Sequence, residues 1–270
     1  MATTTHSPIT RAYSSSSKII VLEGNISAGK TYLSNKLGQS LDYKVFLEPT
    51  TTNPYLQQFY AEPKRYALDM QLWLLNQRYN TYLAALDYAL NNDNSGVVLD
   101  RSMFSDWVFA ENCRKEGLIS PEGFKQYTAI RDSMLLNVPI PNITLYLNVS
   151  PSECLRRIQS IRKRTIPLTY LEGLDICYQE FLKEIKLKGS NVITFDWNQF
   201  GEVDDIVTEI KKDISSTSPS LLLSKNIIGN LVKNREDITS TYQTELSFMH
   251  KESLSSTSSS AAVVQDKNNA

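Results

Sequence analysis

A chain of 270 residues has the length of one large domain or two small ones, and its apolar share of 41% is lowered by polar ends. A net charge of −1 leaves no basic field for a nucleic-acid partner, and no stretch approaches the ~20 apolar residues of a membrane span. Cys113, Cys154 and Cys177 are odd in number and far apart, which suits buried reduced thiols, and His6 and His250 lie in the tails, away from any zinc site.

Residues 1–17 are Ser/Thr-rich with one arginine and no acid. A disordered leader and a weak transit peptide share that composition, so a cytoplasmic and a mitochondrial location both stay open. Next, Ile19-Ile20-Val21-Leu22 reads as a strand. It runs into Gly24, Asn25, Ile26, Ser27, Ala28, Gly29, Lys30 and Thr31, which match G-x-x-x-x-G-K-[ST], and then into a helix to about Gln39. In that arrangement loop amides and a helix N-terminus point at phosphate oxygens. Lys30 bridges the β- and γ-phosphates of a nucleoside triphosphate, and the Thr31 hydroxyl holds Mg²⁺. A plain strand-turn-helix corner needs neither residue.

Lys44 to Leu47 forms a second strand, ending at Glu48-Pro49, and a short helix follows over residues 54–62 with Asn53 as N-cap and Pro54 in its first turn. The periodicity predicts a long helix over 64–91, closed by an Asn/Asp turn at 91–94, and a third strand over 96–100. Helices near 105–116 and 121–137, a proline turn at 139–141 and a strand over 143–147 come next. Helices over 151–161 and 168–184 flank a basic loop, and a strand over 191–195 and a helix over 203–214 complete the body. Strands that alternate with helices imply an α/β fold, a parallel five-stranded sheet with helices on both faces. The domain division is therefore a leader (1–17), a body (18–215) and a Ser/Thr/Asn-rich, largely disordered tail (216–270). Within the tail, Leu221 to Val232 is apolar enough to form a docking helix.

Ligands of such sheets sit beyond the carboxyl ends of the strands, which is where this chain keeps placing charge. Asp100 closes the third strand and suits either a Mg²⁺ contact or a helix cap. Pro49 holds Glu48 extended, so its carboxylate is placed to accept a proton from an attacking hydroxyl while Arg101 neutralises it. A structural Glu48-Arg101 ion pair is compatible with that role. In the run Arg156, Arg157, Arg162, Lys163 and Arg164, Arg156 reads as a solvated face, whereas Arg162 and Arg164 read as lid guanidiniums that close over a phosphoryl group. Gln71 and Arg78 share one face of the long helix with Leu74 and Leu75 between them, although an exposed glutamine is equally natural there.

These blocks resemble a known family. GNISAGKT, Glu48-Pro49, Asn53-Pro54-Tyr55-Leu56 with Phe59-Tyr60, Gln71 with Arg78, Asp100-Arg101-Ser102 with Asp106, and the arginine lid are similar to the deoxyribonucleoside kinases, in particular the bacterial-type deoxyadenosine/deoxyguanosine kinases. The likeness spans residues 18–214. It implies a P-loop kinase fold with an Arg-rich lid, ATP and Mg²⁺ as cofactors, and a homodimer. It implies that Glu48 is the base for the 5′-hydroxyl with Arg101 beside it, that Lys30 serves catalysis, and that Thr31 and Asp100 hold metal. Tyr60 matches a tyrosine that binds the sugar 3′-hydroxyl, and Gln71, Arg78 and Asp106 match residues that read a purine or cytosine edge. One departure is that residues 164–167 lack the acid that relatives place after the lid to hold the 3′-hydroxyl.

A glutamine amide pairs with the donor-acceptor edge of adenine, and when flipped it pairs with guanine. The expectation is ATP-dependent 5′-phosphorylation of a purine deoxyribonucleoside, deoxyadenosine before deoxyguanosine. The alternatives are a nucleoside-monophosphate kinase of thymidylate type and a nucleotide-binding switch.

Overall fold

Ile19–Gly24 (β1) is buried along its whole length, as a strand covered on both faces must be, and its run of Ile, Val and Leu suits that position. It pairs in parallel with Val97–Asp100 (β3) on one side and Ile143–Asn148 (β4) on the other. Lys44–Phe46 (β2) and Asn191–Asp196 (β5) complete a parallel five-stranded sheet in the order β2-β3-β1-β4-β5. The structure is a computed structural model that describes residues 18–48, 53–92, 96–136, 138–161, 166–216 and 231.

The strands are joined through helices, as parallel pairing requires. These are Lys30–Leu41 (α1), Leu56–Ala61 (α2), Pro63–Asn91 (α3), Asp106–Lys115 (α4), Pro121–Leu135 (α5), Pro151–Ile161 (α6), Leu168–Leu187 (α7) and Val203–Ser216 (α8). Helix α1 packs with α8, whereas α3 packs with α4 and α4 with α7. Among the described residues no helix is long and apolar enough to cross a membrane. The chain leaves β1 toward the β2 edge but leaves β3 toward β4, so the topological switch point lies between β1 and β3. A crevice opens there beyond the strand ends. The register pairs Leu22 with Asp100, which brings the phosphate loop and the Asp100-Arg101 pair to the same end of adjacent strands.

Helix α3 buries Leu72, Leu75, Tyr79, Tyr82, Leu83 and Leu86 at helical spacing, which explains its length without help from strong caps. Gln71 and Arg78 belong to the buried side, at 0% and 5% exposure, so the exposed-glutamine reading is wrong. Cys113, Cys154 and Cys177 are buried and unpaired.

Of the boundaries that differ from expectation, two have a local cause. The short helix starts at Leu56 rather than Pro54, because the Asn53 side chain does not cap it. Instead Asn53 Oδ1 accepts from Tyr55 N at 2.9 Å and closes a turn one step earlier. Helix α7 runs to Leu187 instead of Glu184, since Ile185 is still buried. The leader, the lid residues Arg162 and Arg164, and the 217–270 tail apart from Leu231 lie outside the described residues. Leu231 is helical and buried in the main core.

Candidate active site

The loop after β1 is shaped by backbone that side chains would obstruct. Gly24 has φ 147° and a Cβ there would lie 2.8 Å from the Leu147 carbonyl oxygen, while Gly29 has φ 100°. Ser27 also adopts a left-handed conformation, and Asn25 anchors the loop. Its Nδ2 donates to Leu171 O at 2.9 Å and its Oδ1 accepts from Ile26 N at 2.8 Å. Ala28 is fully buried beneath the loop.

Lys30 turns back over this loop. Its Nζ donates to Gly24 O at 3.0 Å and Asn25 O at 2.8 Å. Burial, with Arg101 adding repulsion, brings its ammonium down to about 7. Thr31 Oγ1 donates to Asp100 Oδ2 at 2.5 Å, and Asp100 Oδ1 is buried without a partner. A hydroxyl and a carboxylate with one unsatisfied oxygen form the hard oxygen set that Mg²⁺ takes, so the residues fit that ion.

Glu48 meets two arginines. Arg78 donates through Nε at 3.0 Å and through Nη2, and Arg101 donates through Nε at 3.2 Å. Burial alone would raise the Glu48 carboxyl, but the two guanidiniums outweigh it and hold the group at about 2. Arg101 has φ 68°, an uncommon conformation for a residue with a side chain, and it also donates to Gly24 O at 3.0 Å and to the Tyr178 hydroxyl. Arg78 pairs with Asp106 as well, whose carboxylate is raised by burial and accepts from the Tyr127 hydroxyl at 2.7 Å. The Phe109 ring lies beneath both guanidiniums, at 4.7 Å from Arg101 and 5.1 Å from Arg78.

One open cavity of about 2500 Å³ unites these groups: Lys30, Thr31, Glu48, Asp100 and Arg101 line it together with Gln71. Ile26, Ser27, Gly29, Arg78 and the half-exposed Tyr60 reach it too. Gly24, Asn25 and Ala28 support the loop from behind, and Asp106 stands behind Arg78. Arg78 therefore bridges Asp106 and Glu48, a tie to the carboxylate that pairing with Asp106 alone does not predict.

Several contributors escape sequence reading. Arg157 is buried, not part of a solvated run, and donates to Ala28 O at 3.1 Å and Trp197 O at 2.7 Å while its Nε holds Glu153 at 2.8 Å. The spacing Glu153 to Arg157 was its one visible signal. Arg156, by contrast, is exposed and pairs with Glu153, as a solvated residue would. Glu23 is fully buried at the end of β1, raised by burial, and accepts from Ser102 Oγ at 2.8 Å. Its signal was a charge inside an apolar run.

The chain also matches known proteins. A family model described as deoxynucleoside kinase matches residues 20–217. The chain is 67% identical over 201 residues to a deoxyguanosine kinase of Dictyostelium discoideum, covering 73% of this chain and 70% of that protein. It is 32% identical over 201 residues to a deoxyadenosine kinase of the same organism, covering 73% and 79%. The solved structure of deoxyadenosine kinase from M. mycoides with bound dATP shares 25% identity at a TM-score of 0.61, over 74% of this chain and 100% of that chain.

Proposed function

Because this chain belongs to the deoxynucleoside kinase family, which uses ATP and Mg²⁺, we propose that it phosphorylates the 5′-hydroxyl of a purine deoxyribonucleoside, deoxyguanosine before deoxyadenosine. The observation that carries the reading is the meeting of Glu48, Arg101 and Lys30 in one cleft whose wall includes Gln71. The preference for guanine rests on the 67% identity to a protein named for deoxyguanosine. A lean to adenine drawn from the Gln71 amide alone finds no support there, since a half-turn of the amide serves either purine.

Glu48 is ionised at any physiological pH and takes the proton of the 5′-hydroxyl as its oxygen attacks the γ-phosphorus. Its low basicity is no obstacle, because a loose phosphoryl-transfer transition state asks for positioning and charge stabilisation more than for a strong base. Arg101 and Arg78 fix the Glu48 carboxylate, and Arg101 compensates its charge. Lys30 and the loop amides hold phosphate oxygens. Thr31 and Asp100 would hold Mg²⁺, which would supply neutralisation of the charge that develops on the phosphates. In this reading Tyr60 partners a sugar hydroxyl, Gln71 and Arg78 meet the base while Asp106 holds Arg78 from behind, and the lid role of Arg162 and Arg164 is carried over from the family resemblance.

Initial rates with ATP and Mg²⁺ test this, using the four deoxyribonucleosides, their ribo-counterparts and their monophosphates as acceptors. The highest kcat/KM is expected for deoxyguanosine, and Glu48→Gln is expected to lower kcat by about 10²–10⁴ while remaining folded. Faster transfer to a monophosphate, or hydrolysis without any acceptor, would overturn the proposal.

A further inference from the structure

The base end of the cleft contains a thiol that the family comparison does not explain. Cys113, on α4, is fully buried, and its Sγ lies 3.8 Å from Gln71 Nε2, which donates to it. The other end of the amide, Gln71 Oε1, is fully buried and has no partner. One half of the amide is thus held by protein, and the residue is part of the cavity wall.

We infer that Cys113 is a positioning residue that fixes the orientation of the Gln71 amide and thereby selects between guanine and adenine. The inference rests on the purine reading above. On the edge shared by N1 and the C6 substituent, guanine offers a donor and then an acceptor, whereas adenine offers an acceptor and then a donor. A purine held in one pose therefore meets a matching amide in only one of its two orientations. A freely turning amide would serve both bases. A buried mismatch strands a donor or an acceptor, so the orientation separates the two purines in binding. In the arrangement observed, the sulfur accepts the Nε2 hydrogen and Oε1 is left free. Burial keeps Cys113 a thiol, pushed up to about 12, so the anchor does not ionise across the working range of pH.

The test uses the full chain and three forms of it: wild type, Cys113→Ser and Cys113→Val. Serine still accepts from the amide; valine fills similar space and accepts nothing. For Cys113→Val, KM for the preferred purine deoxyribonucleoside is expected to rise roughly three- to tenfold, and the kcat/KM ratio of deoxyguanosine to deoxyadenosine to shrink by a similar factor. Its kcat should move less, because Glu48, Arg101 and Lys30 are untouched. Cys113→Ser should keep most of the wild-type ratio. If Cys113→Val weakens both purines equally, or leaves the ratio intact, the thiol only fills space and the inference falls. A second measurement works without turnover: hydrogen exchange of the Gln71 side-chain amide by NMR, expected to be faster in Cys113→Val than in wild type. Should wild type phosphorylate no purine deoxyribonucleoside, the functional proposal fails, and the exchange rates still decide whether the thiol holds the amide; equal rates overturn the inference.

Discussion

Lys30 has an ammonium held down at about 7 by burial and by its neighbour Arg101, and among the described residues its hydrogen-bond partners are carbonyl oxygens. Phosphate oxygens bring negative charge and drive the group back toward its ordinary value of 10.5. The sign follows directly. Below about 7 the amine is charged before and after nucleotide binding, so no proton moves. Between there and 10.5 the free protein holds it neutral and the complex holds it charged, so binding takes up a proton. Calorimetry in buffers of different ionisation enthalpy is expected to show uptake approaching one proton per ATP at about pH 8.5, shrinking as the pH falls below about 7. Binding heats independent of buffer at the higher pH would remove the claim. Glu48 works in the opposite sense: its arginines keep it charged throughout, so the alkaline and neutral range should leave its state unchanged.

The phosphate loop is an element assembled from both ends of the chain's body. Its glycines come from the motif, but its rigidity comes from α6, where Arg157 ties the Ala28 carbonyl to Trp197 and Asn198 after β5 and stacks 4.4 Å beneath the Phe200 ring. Replacing Arg157 with alanine leaves three carbonyl oxygens without that donor, each a loss of order 1–3 kcal/mol if water cannot reach it. KM for ATP is expected to rise about tenfold or more while KM for the nucleoside stays within about twofold, with a melting temperature lower by several degrees. Equal changes in both KM values would place the effect in the whole fold instead of the loop. The motif around Gly24 and Lys30 was readable because it is local. Arg157 was not, because its partners are 40 and 129 positions away in the chain.

At the scale of the whole molecule, Leu231 extends the core beyond the sheet and its helices. It is 6% exposed within the main cluster and belongs to the apolar stretch 221–232, which the sequence marks as able to dock inside an otherwise polar tail. Burial of one leucine is worth about 1.5–3 kcal/mol, so truncation after Ser216 or Leu231→Ala should each lower the urea midpoint measurably without a change in slope. An unchanged midpoint in both would show that this contact adds nothing to stability.

What the residues determined by themselves was the local and the periodic. The strand and helix order, the parallel sheet and the phosphate loop follow from apolar runs, helical spacing and glycine punctuation, each visible within a few turns of chain. Glu48, Asp100 and Arg101 could be singled out because strand ends are where such a fold gathers its ligands. Only the tertiary structure decided how those groups spend their charge. Arg78 reaches Glu48 as well as Asp106, Arg157 braces the loop, and Cys113 holds Gln71, each through contacts between residues distant in sequence. The physical reason is that hydrogen bonds and ion pairs acquire their strength from burial and geometry, and both are settled when the elements pack, not by the order of residues along any one of them.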